Sequence, residues 1–142
     1  MTSAHYPLHP ASVSKARAFV AHALDPVPEE LRDCAVLVTS ELATNAITHA
    51  HSAFTVSVTL TAEHVHLAVT DEGGGMPRLR DTGPTQAHGR GLLIVSSLAD
   101  RWGVDAQNAR TSVWCTFAVR PHATFDASGS QGVPVPDSDE RS

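Results

Sequence analysis

The sequence is poor in cysteine and has no apolar run of membrane-spanning length. Its two cysteines, Cys34 and Cys115, fall in a helical and a strand pattern, which excludes a disulfide framework and a four-cysteine zinc site and favours buried thiols. No apolar run approaches the roughly 20 residues that span a bilayer, and the N-terminal residues lack the basic and hydrophobic regions of a signal peptide. The composition therefore predicts a cytoplasmic protein with no membrane partner.

Basic side chains are also scarce. The 10 Lys and Arg stand against 15 Asp and Glu, which gives a formal net charge of -5. This balance argues against a direct nucleic-acid partner, because attraction to a phosphate backbone requires clustered basic residues. A small phosphate ligand bound by backbone amides remains allowed. The length of 142 residues with 42% hydrophobic content fits one globular domain.

The negative charge is concentrated at the C-terminus. Residues 121–142 contain one Arg, three Asp and one Glu among Gly, Pro and Ser. Such a segment cannot bury enough apolar surface to offset the entropy of ordering, so we expect residues 121–142 to form a disordered acidic tail. The chain is thereby divided into an N-terminal extension over residues 1–7, a domain over residues 8–120 and the tail.

Hydrophobic periodicity predicts three helices. The first has Ser12 as its cap and stops at Asp25-Pro26, where proline blocks continuation. The second opens at Pro28 and continues through Ile47. The third starts immediately after Gly91 and runs to about Arg101.

Alternating apolar and polar residues predict strands around these helices. Phe54 to Leu60 and His64 to Thr70 should form a hairpin with one apolar face. A last strand over residues 112–119 should pair with the stretch near Trp102 to Val104, across a turn at Asp105–Arg110. The predicted fold class is α+β, a two-layer sandwich with helices on one face of a mixed, mostly antiparallel sheet.

A polar stripe interrupts the second helix. Glu41, Asn45 and His49 recur every four residues, and Glu41 is the only formally charged side chain between Asp33 and His51. A carboxylate followed one turn later by an amide suits a magnesium site or a general base. A solvated helix face is the alternative.

A glycine-rich segment follows the hairpin. Asp71-Glu72-Gly73-Gly74-Gly75-Met76-Pro77 opens a loop of about 20 residues, which is long enough to act as a lid. The glycines permit close approach to the backbone, and Asp71 can accept a hydrogen bond from an exocyclic amine. The alternative is a flexible turn.

A second glycine motif opens the third helix. Gly89-Arg90-Gly91-Leu92 would offer free amides and a forked guanidinium to a phosphate, although a capping glycine is the alternative. Two His-x-His pairs, at residues 49–51 and 64–66, could suggest a transition-metal site, but no third ligand with suitable spacing accompanies them.

The three motifs occur in a specific order. E-L-A-T-N-A-I-T-H-A, D-E-G-G-G-M-P and G-R-G-L-L-I-V resemble the N, G1 and G2 boxes of the GHKL ATPase/kinase superfamily, whose domain is the Bergerat ATP-binding fold. The run G-R-G-L-L-I-V-S-S-L-A-D-R-W-G is similar to that of single-domain anti-sigma factor serine kinases. The resemblance covers about residues 8–120.

The resemblance implies ATP and Mg²⁺ as cofactors. Asn45 would coordinate Mg²⁺, Glu41 would act as catalytic base, and Asp71 would bind the adenine amino group. His49 would give structural support. The remaining nucleotide-binding positions would be Gly73, Gly75, Gly89, Arg90, Gly91 and Leu92, with Arg90 offered by position only.

The resulting hypothesis is an ATP·Mg²⁺-dependent serine/threonine protein kinase. It would phosphorylate an anti-sigma-factor antagonist, sequester a sigma factor as a further partner, and thereby regulate transcription. One alternative is a nucleotide-gated module that binds a partner without phosphotransfer. Another is slow ATP hydrolysis that drives lid closure. The family also suggests a homodimer, for which the periodicity gives no interface.

Overall fold

The structure is a computed structural model that describes residues 1–73 and 87–119, with side chains for residues 1–73 and 92–119. Gly75, the predicted lid as far as residue 86 and the predicted tail over residues 121–142 lie outside the described residues. The elements, in chain order, are β1 (Thr2–Tyr6), α1 (Ala11–Ala23), α2 (Glu29–Asn45), a π-helical turn (Ala46–Ala50), β2 (Phe54–Leu60), β3 (His64–Asp71), α3 (Ala87–Leu98), β4 (Arg101–Gln107) and β5 (Arg110–Ala118).

The strands form one sheet in the order β1-β2-β3-β5-β4, and every described pairing is antiparallel. Inward-facing residues of β2, β3 and β5 are buried at alternate positions, as the alternating sequence predicts. The helices cover this apolar face, and α2 packs against both α1 and α3. The predicted two-layer α+β sandwich is confirmed.

The core lies between the helices and the sheet. Phe54, Leu67 and Phe117 contribute the largest side chains from the strands, and Leu24 and Leu92 contribute the largest from the helical layer. Cys115 also belongs to this core, and burial raises the pKa of its thiol to about 12. The expectation of a buried thiol is confirmed for Cys115, whereas Cys34 is only partly buried.

The strand β1 was not predicted. Thr2–Tyr6 has no apolar alternation, yet it pairs with β2 over five residues from Thr2↔Val58 to Tyr6↔Phe54. The rings of Tyr6 and Phe54 lie 5.5 Å apart between centroids. Backbone pairing and this one aromatic contact, rather than a sequence pattern, place the segment at the sheet edge.

The predicted cap of α1 is wrong. Ser12 lies inside the helix and is buried, and its hydroxyl donates a 2.8 Å hydrogen bond to the carbonyl oxygen of Pro7. Pro10 occupies the cap position without a side-chain bond. Ser12 therefore ties α1 to the segment that leads in from β1.

The boundaries of α3, β4 and β5 also differ from prediction. α3 begins at Ala87, before the glycine motif, and ends at Leu98, so Trp102 belongs to β4. The predicted wide turn at Asp105–Arg110 is a two-residue turn, because β4 continues to Gln107 and pairs there with Arg110. Asn108 takes the left-handed conformation (φ 55°) that such a turn requires. Among the described residues, no helix has both the length and the apolar character to cross a membrane.

Candidate functional site

The helix α2 presents Glu41 and Asn45 one turn apart on its partly buried side. The acids Glu29 and Glu30 occupy its first turn, where they complement the helix dipole. Because Ala35, Val38 and Leu42 are buried, the apolar stripe that directs the helix onto the core also fixes where Glu41 and Asn45 lie.

The predicted continuous helix is wrong beyond Asn45. Residues Ala46–Ala50 form a π-helical turn, which is wider than an α-helical turn, so His49 does not follow the α-helical stripe of Glu41 and Asn45. His51 is left-handed (φ 53°) and ends the turn, and the N–H of Ser52 donates a 3.1 Å bond to the carbonyl oxygen of Ala46. His49 is exposed.

Asp71 is the last residue of β3. It pairs with Phe54 of β2 on one side and Thr111 of β5 on the other, and it is half-buried. Burial raises the pKa of the Asp71 carboxyl above its ordinary value, a hydrogen bond from the N–H of Gly73 opposes this, and the charge of Glu72 adds to it. Only Oδ1 is used by that 3.0 Å bond, so the carboxylate keeps capacity to accept a further donor.

Thr111 is a residue of this region that sequence reasoning missed. It lies opposite Asp71 in the β3–β5 register and is 2% exposed. A signal was present: Thr111 is the one hydroxyl residue in the inward set of β5, whose other members are Val113, Cys115 and Phe117. The misplaced turn at Asp105–Arg110 hid it, because the strand was expected to start only at residue 112.

Residues 29–52, which comprise α2, the π-helical turn and the two residues after it, form the α2 segment. Two contacts join the end of β3 to the end of this segment. The N–H of Glu72 donates a 3.0 Å hydrogen bond to the hydroxyl of Ser52. Gly73 lies against Ala50 so closely that a Cβ at position 73 would be 2.7 Å from both Cβ and the carbonyl oxygen of Ala50. The structure therefore joins the Asp71–Gly73 segment to residues 50–52, which follow the helix that bears Glu41 and Asn45.

The glycine motif lies within the first turns of α3 rather than before the helix. The first four N–H groups of a helix, counted from its cap residue, have no partner within it. In a helix that begins at Ala87, the amide of Gly89 therefore belongs to this free set, while Arg90 and Gly91 follow it. The side chain of Leu92 is 2% exposed and packs in the core, so any ligand contact of Leu92 would involve its backbone.

The donor set fits a magnesium-bound nucleotide. The side-chain oxygens of Glu41 and Asn45 are of the type Mg²⁺ prefers, and Mg²⁺ commonly takes one or two protein ligands beside phosphate and water. Among side chains of residues 1–73 and 92–119, no three His, Cys, Asp or Glu gather into a metal-binding group, so neither His-x-His pair lies in one.

Comparison with known sequences identifies similar proteins. Residues 6–117 match the family described as histidine kinase-like ATPase domain. The chain is 34% identical over 111 residues to an anti-sigma F factor of Geobacillus stearothermophilus, covering 68% of this chain and 75% of that protein. It is also 33% identical over 87 residues to an uncharacterized protein of Streptomyces coelicolor, covering 58% and 83% respectively.

Solved structures share the fold. The RsbU and RsbW domains of Rv1364c from Mycobacterium tuberculosis match with a TM-score of 0.66 at 18% identity, covering 89% of this chain and 35% of that chain. A blue-light activated histidine kinase of Erythrobacter litoralis matches with a TM-score of 0.57 at 20% identity, covering 84% and 44%. This chain thus spans less than half of each of those two chains.

Proposed function

The chain belongs to the histidine kinase-like ATPase domain family, and from this premise we propose that it is an ATP- and Mg²⁺-dependent serine/threonine protein kinase of the anti-sigma factor type. Its protein substrate would be an anti-sigma-factor antagonist, and a sigma factor would be a second partner that it sequesters. The similarity to proteins named anti-sigma F factor supports both partners. A cytoplasmic location and a homodimer stay predictions.

The observation that carries the proposal is the junction between the α2 segment and the end of β3. There the segment that begins with the half-buried carboxylate of Asp71 contacts Ala50 and Ser52, which follow the helix that bears Glu41 and Asn45. A nucleotide that spans this junction would put its base at Asp71 and its phosphates toward α2 and α3. The free amide of Gly89 in the first turn of α3 then suits the phosphate groups.

Each predicted side chain has a defined task in this proposal. Asn45 would hold Mg²⁺, which would neutralise charge on the phosphates when bound. Glu41 orients the serine or threonine hydroxyl and takes its proton as the oxygen bonds to the γ-phosphorus, and ADP leaves with the electrons of the broken phosphorus–oxygen bond. Asp71 accepts a hydrogen bond from the adenine amino group.

The test is a phosphotransfer assay with labelled ATP, Mg²⁺ and an anti-sigma-factor antagonist protein. Wild type should label the antagonist, and Glu41→Ala should lower the rate by about 100-fold or more while ATP binding persists, because only proton transfer and hydroxyl orientation are lost. Asp71→Asn should instead weaken ATP binding by about 10- to 100-fold, because a hydrogen bond to a charged acceptor is lost.

Other outcomes would assign a different activity. Binding of ATP and of the partner without any label transfer would indicate a nucleotide-gated binding module. Release of inorganic phosphate without labelling of the antagonist would indicate an ATPase. Absence of ATP binding by wild type would overturn the proposal, together with both of these alternatives.

A further inference from the structure

Ser52 lies in the short connection between the π-helical turn and β2, and it is a buried polar residue that no predicted role uses. Its exposed fraction is 9%. Its N–H donates to the carbonyl oxygen of Ala46 at 3.1 Å, and its hydroxyl donates to the carbonyl oxygen of Ala53 at 2.6 Å. The same hydroxyl oxygen accepts the N–H of Glu72 at 3.0 Å. Ser52 thus links the π-helical turn to the residue that follows β3.

The bond to Glu72 replaces backbone pairing where the sheet ends. The last paired residues of β2 and β3 are Phe54 and Asp71, so Glu72 lies just beyond the ladder. Without the Ser52 hydroxyl, the N–H of Glu72, an exposed residue, would lose its hydrogen bond to the buried Ser52, which favours movement of the segment. The hydroxyl therefore extends the β2–β3 pairing by one residue.

The residues on either side of Glu72 are also fixed. Asp71 is held by the strand pairing and accepts the N–H of Gly73, while Gly73 rests on Ala50. Since Ala50 and Ser52 both belong to the end of the α2 segment, the carboxylate of Asp71 is oriented relative to the helix that bears Asn45. Ser52 is the side chain that makes this connection.

We propose that Ser52 is a positioning residue that fixes the Asp71 carboxylate and thereby determines selectivity for adenine over guanine nucleotides. The proposal rests on the proposed nucleotide-binding function. Adenine presents an amino donor at the position where guanine presents a carbonyl acceptor, and a carboxylate can bond only the donor. A fixed carboxylate binds adenine and repels guanine, whereas a displaced one loses both effects.

The experiment compares ATP and GTP binding, each with Mg²⁺, by calorimetry on full-length variants. Ser52→Ala should weaken ATP binding by about 5- to 20-fold and leave GTP binding unchanged or tighter, because the repulsion of guanine is also lost, so that the ATP/GTP affinity ratio falls by at least that factor. Ser52→Thr, which keeps the hydroxyl, should restore the ratio. A purely structural role would change the melting temperature without changing this ratio.

Thr61→Ala is the matched control. The Thr61 hydroxyl oxygen accepts the N–H groups of Glu63 (3.3 Å) and His64 (3.0 Å) at the opposite end of the same hairpin. Its removal should affect stability and leave the ATP/GTP ratio unchanged. A ratio that falls equally in Thr61→Ala would overturn the proposal, since any weakening of the hairpin would then suffice.

Glu72→Pro removes the same hydrogen bond from its donor side, because proline has no N–H. It decides the matter if Ser52→Ala does not fold, and it should lower the ratio as Ser52→Ala does. An unchanged ratio in a folded Ser52→Ala or Glu72→Pro protein would overturn the role of Ser52. Failure of wild type to bind either nucleotide would instead overturn the proposed function, so the two failures are distinguishable.

Discussion

The half-buried position of Asp71 makes its charged form less favourable in the folded chain. Burial raises the pKa of its carboxyl above the ordinary 3.8, and the charge of Glu72 acts in the same direction, against the bond from Gly73. An acid with a raised folded-state pKa binds its proton more tightly in the folded than in the unfolded chain. Its contribution to stability therefore falls as pH rises from the ordinary value through the raised one.

Asp71→Asn should remove this pH dependence. The amide keeps an oxygen for the Gly73 N–H but carries no charge to desolvate, so the apo variant should be as stable as wild type at pH 7 or slightly more stable. The difference should be less than about 1 kcal/mol, because solvent screens a half-buried carboxylate. Urea unfolding from pH 4 to 7 measures it, with the exposed Asp25→Asn as a control for loss of one charge. A variant clearly less stable than wild type at pH 7 would contradict this interpretation.

At the scale of elements, the packing of the β4–β5 hairpin requires a glycine at position 103. Gly103 pairs with Trp114, and a Cβ at position 103 would lie 2.7 Å from Cζ2 of the indole. Because glycine has no Cβ, the indole of Trp114 can lie against β4. The indole also stacks on the imidazole of His66, with 5.9 Å between the ring centroids. This ring pair lies on the sheet face opposite the helices.

Gly103→Ala should destabilise the protein by about 1–3 kcal/mol, because the added methyl displaces the indole or the strand. The sign is informative, since Gly→Ala at an unobstructed position stabilises by about 0.4–1 kcal/mol through the unfolded chain. Urea unfolding gives the change in free energy.

The control for this prediction is a double-mutant cycle with Trp114→Val. Without the indole, Gly103→Ala should become neutral or stabilising. Equal destabilisation in both backgrounds would mean that the cost at position 103 does not come from the contact with Trp114.

At the scale of the whole molecule, the candidate site exists only in the folded chain. Its parts are Glu41 and Asn45, the segment from Asp71 to Gly73, and the start of α3 at Ala87, and successive parts lie 14 to 26 positions apart along the sequence. Because no local segment contains all of them, a nucleotide would bind the folded state and not the unfolded one, and binding would add to global stability.

ATP with Mg²⁺ at about 100 times its dissociation constant should therefore stabilise the protein by about 2.7 kcal/mol. Thermal unfolding should show a higher melting temperature with ATP·Mg²⁺, a smaller shift when the metal is chelated, and little shift with GTP·Mg²⁺. The chelated sample is the control for the metal, since the phosphates then lack the charge that would neutralise them. An identical shift in melting temperature with ATP and GTP would contradict recognition of adenine by Asp71.

The sequence determined the fold class and the predicted site residues. Apolar periods of about 3.6 and 2 residues are local properties, and they placed the helices, the β2–β3 hairpin and its buried face. The order of the three motifs likewise predicted Glu41, Asn45 and Asp71 as site residues, because each motif is contiguous in the chain. The family comparison bears out the resemblance that those motifs carried.

Only the tertiary structure decided which segments meet. The pairing of β1 with β2 and the position of Thr111 opposite Asp71 depend on hydrogen bonds between residues distant in sequence. Ser52 is the sharpest case, because nothing in its neighbours predicts a bond to a backbone amide 20 residues away. Periodicity encodes which side of a helix or strand is buried, but it does not encode which other segment that side contacts. Those contacts between segments are what orient the candidate site.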